Sequence, residues 1–236
     1  MHFVLVHGAW HGGWCWRDVA AALRSAGHQV CTPTLTGLGE RAHLLDPDVG
    51  LSTFIKDICA VIEAEELQEV VLVGHSFAGP VITGVADLMP HRLAQLIYLD
   101  ALIVQSGQSA LGILPPDVQI ERSRTIDAEG LRMAIPSADK FGVFELEQVA
   151  WLMRQLTPHP INAYREALQL QHPFGNGLRK TYIAVTAPWY PPLQGVRDWL
   201  RTQAHWQWRE LAAGHDAMLT SPKALATMLL ALASQA

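Results

Sequence analysis

Cysteine is scarce in this chain. Cys15, Cys31 and Cys59 are the only three in 236 residues, and they are far apart, with no C-x-x-C pair. An odd, scattered set rules out a disulfide framework or a zinc site as the organising device. It fits a reducing compartment, so the cytoplasm is the expectation. Charge is thin as well: 17% of residues are Asp, Glu, Lys or Arg, and the formal net charge is -5. A chain without a basic face is not expected to bind nucleic acid. No apolar run is long enough to span a bilayer, and Met1 leads into the strand-like HFVLVH without the basic segment of a secretory signal. No membrane partner is therefore expected. Internal repeats, low-complexity tracts and long linkers are missing too. Neither G-x-G-x-x-G nor a P-loop lysine is present, so a nucleotide is excluded and no cofactor is expected.

What is there is apolar surface, with half of the residues hydrophobic. That suffices for one well-buried α/β domain. The chain is organised around Glu69 to Gly79, EVVLVGHSFAG. Val70 to Val73 reads as a buried parallel strand, and Phe77 to Leu88 as the helix after it. Ser76 sits on the turn between them. A sharp strand-to-helix turn lifts the serine hydroxyl clear of the sheet, beside the first free N–H groups of the helix. Strand and helix backbones nearly touch in such a turn. It needs small residues two before and two after the serine, and Gly74 and Ala78 supply them. The pattern is G-x-S-x-A, with Gly79 one step later. Serine is also an ordinary helix cap, the plainer reading of the same residue.

Ahead of this stretch, His2 to His7 is a strand that ends in Gly8-Ala9-Trp10-His11-Gly12-Gly13. The N–H of Ala9 can point at the same spot as the N–H of Phe77, as an oxyanion hole requires. A simple turn into the next helix is the alternative. Trp16 to Ser25 is predicted helical, His28 to Pro33 a strand, and Leu51 to Leu67 a helix capped by Ser52 or Thr53. Leu93 to Val104 holds the next strand, with Asp100 near its carboxyl end. From residue 105 to 178, prolines punctuate short amphipathic pieces, which reads as a helical lid rather than more sheet. Strand character returns at Lys180 to Thr186, a helix follows over Leu193 to Thr202, and Trp206 to Leu211 is a short strand. Ser221 to Ser234 closes as a helix with Pro222 in its first turn. The alternation predicts an α/β fold with a doubly wound, mostly parallel sheet. Residues 1–104 and 179–236 form its core, and 105–178 the lid.

A serine hydroxyl is a weak nucleophile at neutral pH. It needs a base, and the base needs an acid to orient it. His215 follows the last strand, in a glycine-containing loop, and is the best placed of eleven histidines. The acid is harder to assign. The strand ending at Thr186 is followed by Ala187-Pro188-Trp189-Tyr190-Pro191, with no carboxylate. Asp100 ends an apolar strand and needs a partner. Asp198 is the other candidate, and Asp216 is too close to His215 in sequence to turn back on it.

The chain resembles the α/β-hydrolase superfamily, in the branch holding plant hydroxynitrile lyases, plant methyl esterases and related bacterial esterases. The resemblance is carried by VLVHGAWHGGW from Val4 to Trp14, GHSFAG from Gly74 to Gly79, and GHDAML from Gly214 to Leu219. It implies serine esterase chemistry through an acyl-enzyme, with Ser76 and His215 catalytic, an oxyanion hole at Ala9 and Phe77, and an apolar pocket beneath the lid. Plant members carry the acid where Ala187 and Pro188 stand here; other α/β-hydrolases carry it one strand earlier, at the place of Asp100. Cyanogenic members use a threonine and a lysine where this chain has Gly8 and Asp216, which favours ester hydrolysis over lyase activity. Gly8, Trp10, Trp151 and Met218 are expected to touch a small, largely apolar ester, the one partner expected. A lyase and a non-catalytic small-molecule receptor are the competing readings. A monomer and a homodimer both fit.

Overall fold

The computed structural model describes residues 1–234. In chain order the strands are β1 (His2–Val6), β2 (Gln29–Cys31), β3 (Val70–His75), β4 (Leu93–Leu99), β5 (Arg132–Met133), β6 (His159–Pro160), β7 (Arg179–Val185) and β8 (Trp206–Leu211). All but β5 and β6 join one sheet in the order β2-β1-β3-β4-β7-β8, and every pairing in it is parallel. The helices are α1 (Arg17–Ser25), α2 (Leu51–Ala64), α3 (Ala78–Leu88), α4 (Pro116–Arg124), α5 (Leu146–Gln155), α6 (Ile161–Arg165), α7 (Gln194–Arg201), α8 (Ala217–Thr220) and α9 (Pro222–Ala233).

Successive side chains of a strand face opposite ways, and both faces of this sheet are covered. Val4, Val6, Leu72 and Leu96 share one core with Phe54 and Ile58 of α2 and Val81 and Ile82 of α3. Phe3, Leu5, Val71, Val73 and Ile97 face a second core, with Val19 and Leu23 of α1 and Leu225 and Leu229 of α9. This two-sided burial is why the central strands read as unbroken apolar runs.

Two boundaries differ from the sequence reading for a physical reason. The strand begun at Leu93 ends at Leu99, because Asp100 has φ +42° and turns the chain out of the sheet. Helix α2 starts after Gly50, not at a Ser or Thr cap. The Thr53 hydroxyl instead reaches back to accept from the Gly50 N–H at 3.3 Å. Between β4 and β7 the chain adds α4, α5, α6 and the antiparallel β5–β6 pair, and none of these joins the main sheet. Among the described residues no helix is long and apolar enough to cross a membrane.

The sheet order reverses at β1. The chain steps from β1 outward to β2, then returns to β3 on the other side of β1. In an open parallel sheet, the loops leaving such neighbouring strands diverge and leave a crevice at the carboxyl edge. Here those are the loops after β1 and β3.

Candidate active site

Three of the non-glycine residues with positive φ stand at strand ends facing that crevice: Trp10 at 65°, Ser76 at 53° and Asp100 at 42°. Left-handed backbone is costly for such residues and persists only where surrounding bonds hold it. At Ser76 they do. Its N–H donates to the Leu99 carbonyl at 3.1 Å, and its carbonyl accepts from Leu102 at 2.9 Å and from Gly79 at 3.2 Å. The turn closes tightly. A Cβ on Gly74 would lie 2.9 Å from the Ala78 carbonyl oxygen and 2.9 Å from Ile82. A Cβ on Gly79 would collide with the Leu102 carbonyl. The extra glycine of the G-x-S-x-A-G sequence therefore lets the serine turn press against the loop that leaves Asp100.

Ser76 makes no helix cap. Its Oγ lies 2.9 Å from His215 Nε2, and His215 Nδ1 lies 2.7 Å from Asp100 Oδ2. Since Asp100 is a carboxylate acceptor, Nδ1 carries the proton and Nε2 is free to accept from the serine. Asp100 is fully buried. Its other oxygen accepts from Arg197 Nη2 at 2.6 Å, and Arg197 also donates to the Val185 carbonyl at 3.1 Å. Asp198 points elsewhere: it is exposed and accepts from Gln194. The structure thus brings Ser76, His215 and Asp100 together and leaves Asp198 out.

The loop after β1 is held by histidines. His7 Nδ1 donates to the Gly8 carbonyl at 2.8 Å, while His7 Nε2 accepts from the Leu35 N–H at 3.0 Å. Burial drives His7 down to about 3, against the pull of the Gly8 carbonyl, so the ring is neutral. The Gly8 carbonyl and the Ala9 N–H belong to one peptide plane and point in opposite directions. Holding the carbonyl toward His7 therefore aims the Ala9 N–H the other way. His11 Nδ1 donates to the Ala9 carbonyl at 2.7 Å and Nε2 to Asp216 Oδ2 at 2.9 Å. Burial works against a charge on His11, but the Asp216 carboxylate and the two hydrogen bonds outweigh it and raise the ring above its usual range. His75, next to the serine, turns away and bonds the His215 carbonyl at 2.9 Å. His159 is buried too, and accepts from the Trp10 N–H at 3.3 Å. Ala9 and Phe77 are both buried at this junction.

A cavity of about 580 Å³ opens onto His215. Trp10, Phe141, Phe144, Tyr190 and Arg122 of α4 are among its walls. Tyr190 stacks on the His215 ring at 4.0 Å between centroids. Two expected contacts fail. Trp151 does not line this cavity; it packs edge-on to Trp14 at 5.2 Å and borders a separate groove with Arg17. Met218 is fully buried in the second core, because α8 turns it toward the opposite face of the sheet. Gly8 lies behind the serine turn: a Cβ there would be 3.0 Å from Ser76 Cβ. Trp10 does line the cavity. Among the described residues, no cluster of three or more His, Cys, Asp or Glu side chains is arranged to hold a metal ion.

Sequence reasoning missed Arg197, Arg122, Tyr190 and the His11–Asp216 pair. Arg197 left a signal, since the helical period puts it on one face with Leu193 and Leu200, both buried. The others depend on contacts between distant segments.

Comparison with known proteins identifies the family. Residues 3–228 match the alpha/beta hydrolase family. A carbendazim hydrolyzing esterase from Nocardioides sp. (strain SG-4G) is 41% identical over 242 residues, covering 98% of this chain and 99% of that protein. Methylesterase 10 of Arabidopsis thaliana is 28% identical over 261 residues, covering 99% and 92%. Among solved structures, an extracellular alpha/beta-hydrolase from a Paenibacillus species superposes with a TM-score of 0.85 at 26% identity, covering 99% of this chain and 98% of that one. It is described as sharing structural and functional homology with tobacco salicylic acid binding protein 2. From its two-sided parallel sheet to its esterase relatives, the chain belongs to the alpha/beta hydrolase family, as an esterase-type hydrolase.

Proposed function

We propose that the protein cleaves small carboxylic esters through a covalent acyl-enzyme, with Ser76 as the nucleophile. The observation that carries the reading is the unbroken run of hydrogen bonds from Ser76 Oγ through both nitrogens of His215 to buried Asp100. His215 Nε2 takes the serine proton as Oγ attacks the carbonyl carbon. Asp100 keeps the imidazole in the productive tautomer and balances its charge once protonated. The oxyanion is received by the N–H groups of Ala9 and Phe77, aimed beforehand by the bonds that fix their peptides. The imidazolium then returns its proton to the leaving alcohol. Water, activated by the same nitrogen, releases the acid and restores the serine. Residues 105–178 act as the lid, since α4 and the segment after it wall the cavity.

A receptor that binds without turnover drew its support from the missing acid after Thr186. In the proposed mechanism Asp100 supplies the acid from the neighbouring strand, which takes that support away. The relative named for carbendazim hydrolysis makes carbendazim a first compound to assay, beside p-nitrophenyl butyrate. Ser76→Ala is expected to abolish turnover of both and to block labelling by a fluorophosphonate, with the circular dichroism spectrum unchanged. Full turnover in a folded Ser76→Ala protein would end the reading.

A further inference from the structure

Arg122 is a charged group in the cavity wall that the chemistry above does not use. It comes from α4 and reaches inward to the same cavity as His215. Its guanidinium lies 4.9 Å from the Trp10 ring centroid and 5.1 Å from that of Tyr164. Aromatic faces stabilise a cation electrostatically without neutralising it, and leave the N–H edge free to donate. That edge is poorly used. Nη2 reaches only the Tyr190 hydroxyl at 3.4 Å, and Nε is buried with no partner. Among the described residues no carboxylate lies within 4.0 Å of Arg122, while Lys140 in the same wall faces Glu121 at 4.0 Å. Asp117, Glu121, Asp139 and Lys140, the other formally charged residues on the wall, are exposed and screened by water. Arg122 is only partly exposed and lies deeper, one contact from Tyr190, which covers His215.

A guanidinium with covered faces and a free donor edge is a geometric complement to a carboxylate, which can accept two parallel N–H bonds. We propose that Arg122 is the specificity determinant of this cavity, and that the preferred substrates are esters bearing a second, ionised carboxyl group away from the scissile bond: half-esters of short dicarboxylic acids. This rests on the ester-hydrolase reading. Arg122 takes no part in bond breaking. It holds the far end of the acyl chain so that the carbonyl sits against Ser76.

The test compares p-nitrophenyl hemisuccinate, hemiglutarate and hemiadipate with the uncharged butyrate, valerate and hexanoate. For each chain length, the kcat/KM of the charged ester divided by that of its neutral partner is measured in the wild type, Arg122→Met and Arg122→Lys. A hydrogen bond to a charged group that is lost on substitution corresponds to about 10- to 100-fold in affinity. The expected result is that, for at least one chain length, this ratio falls by about that factor in Arg122→Met and recovers in part in Arg122→Lys. If Arg122 only props up the lid, both members of every pair lose equally and the ratio stays fixed, which overturns the proposal. If the wild type hydrolyses none of the six esters and does not label with fluorophosphonate, the ester-hydrolase reading is what has failed.

Discussion

At the scale of single residues, Asp100, the proposed acid, is the most instructive. Asp100 could be singled out because a carboxylate ending an apolar strand demands a partner, and His215 supplies one. The sequence did not disclose that it has two. Arg197 comes from 97 positions downstream and takes the other oxygen. A pairing at that separation leaves no periodic trace, although the inward face of Arg197 on α7 does. The pairing has a consequence for stability. Arg197→Met leaves one oxygen of the buried Asp100 carboxylate without its partner. Removing one side of a buried ion pair costs about 3–5 kcal/mol. The unfolding midpoint in urea is expected to fall accordingly, and a wild-type midpoint would mean that the bond adds nothing to the fold.

Among elements, the strand–turn–helix unit from β3 to α3 was the most legible part of the chain, because its demands are local. Gly74, Ser76 and Ala78 announce a turn with no room for side chains, and an apolar strand announces a buried one. What the local pattern did not state is why Gly79 follows. Its lack of a side chain admits the Leu102 carbonyl, so the turn and the loop after β4 close on each other. In Gly79→Ala the loop must shift. Overpacking of this kind costs about 1–3 kcal/mol. The unfolding midpoint in urea is expected to fall accordingly, and kcat with it, since Ser76 and Asp100 flank the contact. A wild-type midpoint with wild-type kcat would show that the contact yields freely. The region from 105 to 178 was the least legible. An amphipathic helix says that one face is inward but not which cavity it meets, and Trp151 on α5 met the wrong one. Met218 was misread for a related reason: nearness to His215 in sequence says little once a helical turn intervenes.

For the molecule as a whole, the count of buried histidines sets its tolerance of acid. His7, His75 and His159 are all buried, and burial is the largest cause holding each below its ordinary value, with His7 at about 3. An unfolded chain would protonate all three near pH 6.5, while the folded protein keeps them neutral. A lowered folded value means stability present above the unfolded value and lost as pH falls toward the folded one. Three such rings steepen the loss by about 4 kcal/mol per pH unit below about pH 6. His11 runs the other way: raised by Asp216, its contribution is complete below about pH 6.5 and fades as the pH climbs past its folded value. Thermal unfolding followed from pH 8 to pH 4.5 is expected to show a maximum in Tm near neutrality and a steep fall below pH 6. A flat Tm between pH 7 and pH 5 would contradict the assignment of neutral rings.

The bonds from Ser76 to Leu99 and Leu102 have one more implication, for biosynthesis. β3 and β4 are neighbours in the sheet and follow each other in the chain, so the proposed nucleophile and acid can be joined before β8 is made. His215 emerges only after β8. On the proposed mechanism, a nascent chain therefore stays inert until that loop has left the ribosome.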